Sequence, residues 1–540
     1  MLALPRLIVS QGWKAAVFSL ALAGAVPFAG PAAAQSMAFK QSVAEAAWDN
    51  SAVAAFYREN GYARLWTVDS EIGQLRRRVF LDALRNIEHH GLPDRSGEAV
   101  KLQEMLRLAR STHDLGRIEA AFSRALVDYA SAVQTGILEP AKIDDGMVRK
   151  KNAPDAMTYL TGFRDNPPAA YLRGLAPQNP QYAALMKEKM RLETLISQGG
   201  WGATVPAGRK LEPGDSGAAV IALRDRLIEM GFLDRSASRT FDASLSAAVQ
   251  RFQAAHGLEL DGVAGEGTLK EINKPVSARL KSVIVAMERE RWLDPERGDR
   301  HVLVNQTDFT AKIVDRGAVT FETRSVIGKN VHDRRSPEFS DVMEHMIINP
   351  SWHVPRSIIT KEYLPELQKN PHAQGQLLIT DSRGRNVSRD AVDFTQYTAK
   401  TFPFAMRQPP SKRNALGLVK FMFPNKYNIY LHDTPQKHLF AREVRAYSHG
   451  CIRLAQPFEF AYALLAKQTE NPKDFFHRIL SSGKETKVDL EVQVPVHIIY
   501  RTAYISEKGQ AGFRRDIYGR DAKVWNALDA AGVVLPGVQG

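Results

Sequence analysis

The chain is 540 residues long, which at roughly 150 residues per domain leaves room for about three or four domains and excludes a peptide hormone or a single small module. Hydrophobic residues make up 44% and charged residues 24%, near the globular averages, so wholesale disorder, collagen and coiled coil are excluded as well. Lys and Arg number 72 against 59 Asp and Glu, a net +13 without a long basic block, which suits an acidic polymer or a membrane surface and does not single out nucleic acid.

At the start of the chain, Arg6 and Lys14 precede an apolar run from Ala15 to Phe28 and then Ala32-Ala33-Ala34. This predicts a secretory signal over residues 1–34, cleaved after Ala34, because the run is shorter than the roughly 18 to 20 residues that span a bilayer. An uncleaved inner-membrane anchor is the alternative. Loss of Arg6 and Lys14 would leave a net charge of +11 on an exported, periplasmic protein.

Residues 35–200 read as a helical scaffold, with apolar residues at three-and-four spacing over Ala44–Tyr57, Gln74–His89, Ser96–Leu108 and Leu115–Thr135, punctuated by Gly91, Pro93, Gly136 and Pro140. Residues 211–273 form a compact unit. Val220, Leu223, Leu227 and Met230 line one helix that Gly231 stops, and Ala243–His256 is a second helix with Gly257 as its cap. Asp261-Gly-Val-Ala-Gly265-Glu-Gly-Thr268 then predicts tight turns, with Thr268 capping a short last helix. This order of leucine helix, Ala248-Val-Gln-Arg-Phe-Gln253 helix and Asp-Gly-x-x-Gly-x-x-Thr turn resembles the three-helix peptidoglycan-binding domain. The resemblance implies carriage to cell-wall glycan or peptide; a structural spacer is the alternative.

A charged connecting helix over 278–295 ends in Glu288-Arg-Glu-Arg-Trp292. Beyond it the pattern alternates over His301–Val304, Thr310–Val314, Phe321–Ile327 and Val342–Ile348, so residues 296–520 open as a β-rich domain. Polar, proline-punctuated sequence with Tyr363, Phe394, Tyr397 and Phe402 predicts an ordered insertion over a site at 356–416. Val494–Tyr500 and Asp516–Tyr518 predict added strands, and residues 521–540 form a tail to which no role is assigned.

The chain has one cysteine, Cys451. In an oxidising compartment a lone thiol is either buried and inert or kept for chemistry, and its neighbours decide. Asn428-Ile-Tyr-Leu-His432 is followed, after fifteen residues, by Ser448-His449-Gly450-Cys451-Ile452-Arg453. A thiolate is the nucleophile, favoured by a nearby imidazolium or a helix N-terminus. The apolar run Phe458–Leu465 suggests that Cys451 opens a helix, with the N–H groups of His449, Gly450 and Cys451 converging as an oxyanion hole. Gly450, without a Cβ, lets a carbonyl approach the backbone. Zinc held by His432, His449 and Cys451 is disfavoured because the paired spacing of known zinc sites is missing. No G-x-S-x-G turn, S-x-x-K pair or phosphate loop is present.

This segment resembles the L,D-transpeptidase family of cell-wall enzymes, whose motif is His, a spacer of this length, then Ser/Thr-His-Gly-Cys, an apolar residue, and Arg or Asn. The likeness runs from Val302 to Tyr518 and includes Val326-Ile-Gly-Lys329 and Asn349-Pro-Ser-Trp-His-Val-Pro355, with Ser336-Pro337 where Thr-Pro is expected. The domain order is similar to the large periplasmic branch. The resemblance implies an α+β multidomain fold: helical scaffold, three-helix peptidoglycan-binding domain, and a mainly β, sandwich-like catalytic domain with a capping insertion and a short helix carrying Cys451.

It further implies that Cys451 is the acylated nucleophile and His432 its general base and later acid, oriented by a backbone carbonyl close to Asp433. His449 and Gly450 would shape the oxyanion hole. Arg453 would hold a stem-peptide carboxylate or brace the turn, and Ser448, Tyr447 and Trp352 would wall the substrate. No metal or cofactor is called for. The implied partners are donor and acceptor stem peptides of peptidoglycan, other cell-wall synthesis proteins, and carbapenem-type β-lactams as acylating inhibitors, with no nucleic acid. The expected reaction is three-to-three crosslinking with release of D-alanine. The same residues leave open an L,D-carboxypeptidase, transfer to a lipoprotein or D-amino acid, and a non-catalytic wall adaptor.

Overall fold

The structure, a computed structural model, describes residues 31–294 and 296–537. The predicted leader lies outside the described residues up to Gly30, and Ala34 falls within helix Pro31–Ala46. Among the described residues no helix is long and apolar enough to cross a membrane.

The scaffold helices pack around Trp66, whose ring lies 5.0 Å from Phe163, 5.1 Å from Phe122 and 5.3 Å from Phe80. Helix Ser96–Leu108 has the bounds its periodicity predicts. The helix expected over Ala44–Tyr57 is instead two, Pro31–Ala46 and Ser51–Glu59. The Asn50 side chain accepts the Val53 N–H at 3.1 Å and starts the chain afresh, which a local polar group does in competition with the helix backbone.

In the next unit, Ala218–Glu229, Ala243–His256 and Glu266–Ile272 enclose Leu223, Leu227, Leu245, Val249 and Phe252. Gly257 closes the middle helix in the left-handed conformation, as its position predicts. Thr268 is not a cap: Gly265 precedes the last helix, and Thr268 is buried inside it, accepting from Gln253 Nε2 at 3.2 Å.

Helix Val276–Arg291 is the keel of the molecule. Helices Pro180–Ser197 and Arg520–Ala530 pack on it; Val494–Ile499 is strand as expected, whereas Asp516–Tyr518 is not, and the end left without a role supplies a helix that crosses the expected 520/521 boundary. Its charged end is buried throughout. Glu288, Arg289, Glu290 and Arg291 are 0%, 6%, 3% and 5% exposed.

The C-terminal half is built from strands β1 (Arg300–Asn305), β2 (Thr310–Asp315), β3 (Ala318–Gly328), β4 (Phe339–Ile348), β5 (Trp352–His353), β6 (Leu378–Thr380), β7 (Ala405–Gln408), β8 (Val419–Met422), β9 (Leu431–His432), β10 (Ala446–Ser448), β11 (Ile452–Leu454), β12 (Thr486–Ile499), β13 (Ala503–Ile505) and β14 (Ala511–Phe513). The main sheet runs β10-β3-β11-β9-β8-β4-β12-β1-β2, and β2 pairs again with β3, so the sheet closes on itself. Closure is possible because β3 spans 11 residues: it pairs with β2 through Arg324, with β11 at Ser325 and Val326, and with β10 at Ile327 and Gly328. The inner face encloses Val302, Val304, Met346, Phe421, Leu431, Ile452 and Val496.

The hairpin β13–β14 stands apart as its own two-stranded sheet. The insertion has a private core of Ile358, Leu364, Leu367, Phe394, Phe402 and Met406. It begins at Trp352 rather than at residue 356, because β5 is hydrogen-bonded to β7 in the insertion's small sheet.

Candidate active site

The parallel pairing of β9 with β11 sets Leu431 beside Ile452 and His432 beside Arg453. Leu431 and Ile452 point into the core, so alternation turns Tyr430, His432, Cys451 and Arg453 to the opposite face. On the other side of β9, Lys420 of β8 stands opposite His432, its Nζ 5.9 Å from the centre of the Tyr430 ring. The insertion covers this face, with Tyr430 packed against its core.

His432 is 4% exposed, and its Nδ1 lies 2.5 Å from the Asp433 carbonyl oxygen. A carbonyl can only accept, so the proton of the neutral ring sits on Nδ1 and Nε2 carries the lone pair. The Asp433 carboxylate is turned away, accepting from the Leu418 N–H at 2.9 Å and pairing with Lys437 at 2.6 Å. Burial, reinforced by Arg453, pushes the imidazole down to about 3 despite the facing carbonyls of Asp433 and Leu416.

Cys451 occupies the turn between β10 and β11. The nearest helix onward starts at Pro457, so the expected helix opened by Cys451 is absent and no helix N-terminus favours its thiolate. The residues between Cys451 and Pro457 are taken up by β11, whose Ile452 N–H bonds to the Tyr430 carbonyl at 3.1 Å. Burial raises the thiol to about 11, against the opposing pull of the Tyr430 hydroxyl hydrogen bond, Arg453 and Lys420. The thiol also lies 3.4 Å from the Asn428 carbonyl oxygen. Burial therefore favours the neutral form of both groups near pH 7, and the thiolate gains no support from an imidazolium at His432.

The turn is held by its own side chains. Ser448, 2% exposed, donates through its hydroxyl to the Cys451 carbonyl and accepts the Gly450 N–H at 3.1 Å. This corrects two expectations: Ser448 is committed to the backbone rather than to substrate, and the Gly450 N–H is already used and cannot serve an oxyanion. Gly450 has φ 119°, which disfavours any residue with a Cβ.

Ser336 Oγ donates to the Gly450 carbonyl at 2.6 Å and accepts the Gly328 N–H at 3.0 Å. A Cβ on Gly328 would meet the Arg334 carbonyl oxygen at 1.9 Å, which explains a glycine in Val326-Ile-Gly-Lys329. Tyr518 continues the brace, donating to the Gly328 carbonyl at 2.7 Å and accepting the Ser336 N–H at 3.2 Å. With the Gly450 carbonyl fixed on Ser336, the planar trans peptide turns the Cys451 N–H the opposite way. Ser336→Ala is expected to lower turnover about tenfold with KM unchanged, the cost of one hydrogen bond that orients the turn, and Ser336→Thr to restore it. Steady-state kinetics of the two variants checks this.

His449 bonds through Nε2 to Glu362 of the insertion at 2.9 Å, and Arg334 reaches the same carboxylate oxygen at 2.7 Å. Arg453 donates to Gln436 at 2.6 Å. Tyr447 is partly exposed on β10. Trp352 is 9% exposed inside the insertion core, 6.5 Å from the Tyr363 ring, so it supports the cover. Of the neighbours of Cys451, Tyr430 reads from sequence only as a packing residue or site wall, and Lys420 carries no sequence signal. Tyr430 could have been found, because it lies two residues before His432 on one strand and shares its face. Among the described residues no group of three or more His, Cys, Asp and Glu side chains is arranged to hold a metal ion.

Comparison with known proteins matches residues 51–188 to a scaffold domain, 216–272 to a "putative peptidoglycan binding domain" and 299–496 to the L,D-transpeptidase catalytic domain. A Haemophilus influenzae protein named "Putative L,D-transpeptidase" is 33% identical over 227 residues, 41% of this chain and 45% of that protein, so the chain spans about half the length of this curated relative. Solved L,D-transpeptidases from Xylanimonas cellulosilytica and Stackebrandtia nassauensis align over 54% and 55% of this chain and 99% and 97% of theirs. At 14% and 13% identity and TM-scores of 0.18 and 0.20, they carry no argument about the fold. The three domain matches, in the order that the fold displays them, show that the chain carries a scaffold domain, a peptidoglycan-binding domain and an L,D-transpeptidase catalytic domain.

Proposed function

We propose that the protein acts outside the cytoplasm as an L,D-transpeptidase that joins peptidoglycan stem peptides by three-to-three links. The observation that carries this reading is the lone thiol of Cys451 on the same sheet face as a histidine whose Nδ1 is tied to a carbonyl. In the first half-reaction Cys451 Sγ attacks the carbonyl carbon of the third stem residue. The thiol proton passes to His432, the C–N bond to the terminal D-alanine breaks, and His432 returns the proton to the leaving amine. In the second, a side-chain amine on a neighbouring stem attacks the thioester, its proton passes to His432, and the C–S bond breaks to restore the thiol.

Because both groups start neutral, proton transfer accompanies attack and does not precede it. The Cys451 N–H, oriented through Ser336, is the backbone donor available to the developing oxyanion. The insertion keeps water from the thioester, which favours an amine acceptor over hydrolysis. Incubation with tetrapeptide muropeptides, read by mass spectrometry, is expected to yield dimers linked third residue to third residue, and Cys451→Ala to yield none. Tripeptide alone would make the protein a carboxypeptidase, and unchanged substrate with no adduct on Cys451 would make it an adaptor.

A further inference from the structure

Where the peptidoglycan-binding unit meets scaffold helix Pro180–Ser197 and the β13–β14 hairpin, a cleft of about 840 Å³ opens, within the size range of sites for small ligands. Its floor includes Trp201, Phe232 and Phe513, and its charges can be counted one by one. Arg191 is held by Glu188 at 2.7 Å, and Arg279 by Glu271 at 2.7 Å. His256 is stacked 3.8 Å from the Phe252 ring, and burial keeps it neutral. That leaves Lys187, Lys508 and Glu229, each exposed on the cleft and none in an ion pair among the described residues.

Two unpaired cations and one unpaired carboxylate over an apolar floor fit an acidic peptide that keeps a free amine. A stem peptide has that pattern, with its terminal carboxylate and the third-residue amine reserved for crosslinking. We propose that this cleft is a second wall-binding site, taking a stem peptide with carboxylates toward Lys187 and Lys508 and its amine toward Glu229. The proposal rests on the reading of the chain as a wall-acting enzyme and adds that three parts of the chain build the docking site, not the peptidoglycan-binding unit alone. Holding one stem there would raise the effective concentration of neighbouring stems at Cys451.

The test uses the full chain with two readouts: pelleting with insoluble sacculi, and acylation of Cys451 by a soluble disaccharide tetrapeptide followed by mass. Lys187→Glu with Lys508→Glu is expected to weaken pelleting about tenfold, two surface ion pairs turned to repulsion, with Cys451 acylation unchanged. Lys101→Glu with Lys142→Glu, exposed scaffold lysines that do not line the cleft, makes the same change in net charge and is expected to leave pelleting intact. Equal weakening by both pairs would reduce the effect to general charge and overturn the proposal, as would no weakening by the first pair. If the parent acylates but does not pellet, the cleft proposal alone fails. If the parent does not acylate, the proposed function fails independently of the pelleting result.

Discussion

At pH 7 Cys451 is expected to react with iodoacetamide about a hundredfold more slowly than free cysteine, with a rate that climbs as pH rises toward about 11. A thiol pushed up to about 11 is almost wholly protonated at neutral pH, and the neutral His432 beside it offers no imidazolium to change that. Tyr430→Phe removes a hydrogen bond that favours the thiolate and is expected to slow alkylation further. Mass spectrometry of alkylation quenched across pH 5 to 11 reads both results. An inflection below pH 7 would mean that the thiol and imidazole exchange a proton before substrate arrives, and the order of steps proposed above would be wrong. The His432 direction adds a second consequence: Cys451 acylation should not decline on the acid side through this group until pH approaches about 3, where the base becomes protonated.

Glu288→Ala is expected to destabilise the molecule by about 3 to 5 kcal/mol, the usual consequence of leaving a buried charge without its partner. Glu288 and Arg291 are paired at 2.8 Å with both side chains 0% exposed. Glu288 also accepts from the Leu138 N–H at 3.1 Å, and Arg291 donates to Tyr182 at 2.8 Å and to the Val133 carbonyl at 3.2 Å, so the pair ties the keel helix to the scaffold. Arg289 and Glu290 reach the other way, Arg289 to Glu338 and Asp521 at 2.9 Å each and Glu290 to Arg501 at 2.5 Å. One helical turn therefore holds the scaffold and the catalytic half in register. Urea denaturation followed by Trp fluorescence is expected to show an early transition in Glu288→Ala, and Glu288→Leu with Arg291→Leu to lose less than the single variant because no lone charge remains. A single variant as stable as the parent would remove this pair from the account of domain docking.

The catalytic segment was legible because its signals are local. A lone cysteine in Ser-His-Gly-Cys, a histidine at a set distance before it and alternating apolar residues around both required no knowledge of the fold. The helices of the peptidoglycan-binding unit were legible for the same reason, since Leu223, Leu227, Leu245 and Phe252 repeat at helical spacing and Gly257 ends a helix in a conformation that glycine favours. Where reading failed, the deciding partner lay far along the chain. Ser448 looked like a substrate contact until its hydroxyl was seen to close the turn, and Ser336 and Tyr518 reach Gly450 and Gly328 across more than a hundred residues.

Composition, spacing and periodicity by themselves indicated that the chain has several domains and that its one cysteine follows a histidine at a set distance, and the resemblance to a known motif tied the two together. Each of these depends on residues close in sequence, where geometry follows from the backbone's own period. Only the tertiary structure decided that Glu288-Arg-Glu-Arg291, the charged end of the connecting helix, is the buried joint of the molecule. It alone decided that Cys451 sits between two strands and that burial pushes its thiol up and the His432 imidazole down. Burial and the pairing of distant charges set those outcomes, and neither is a property of any local stretch of sequence.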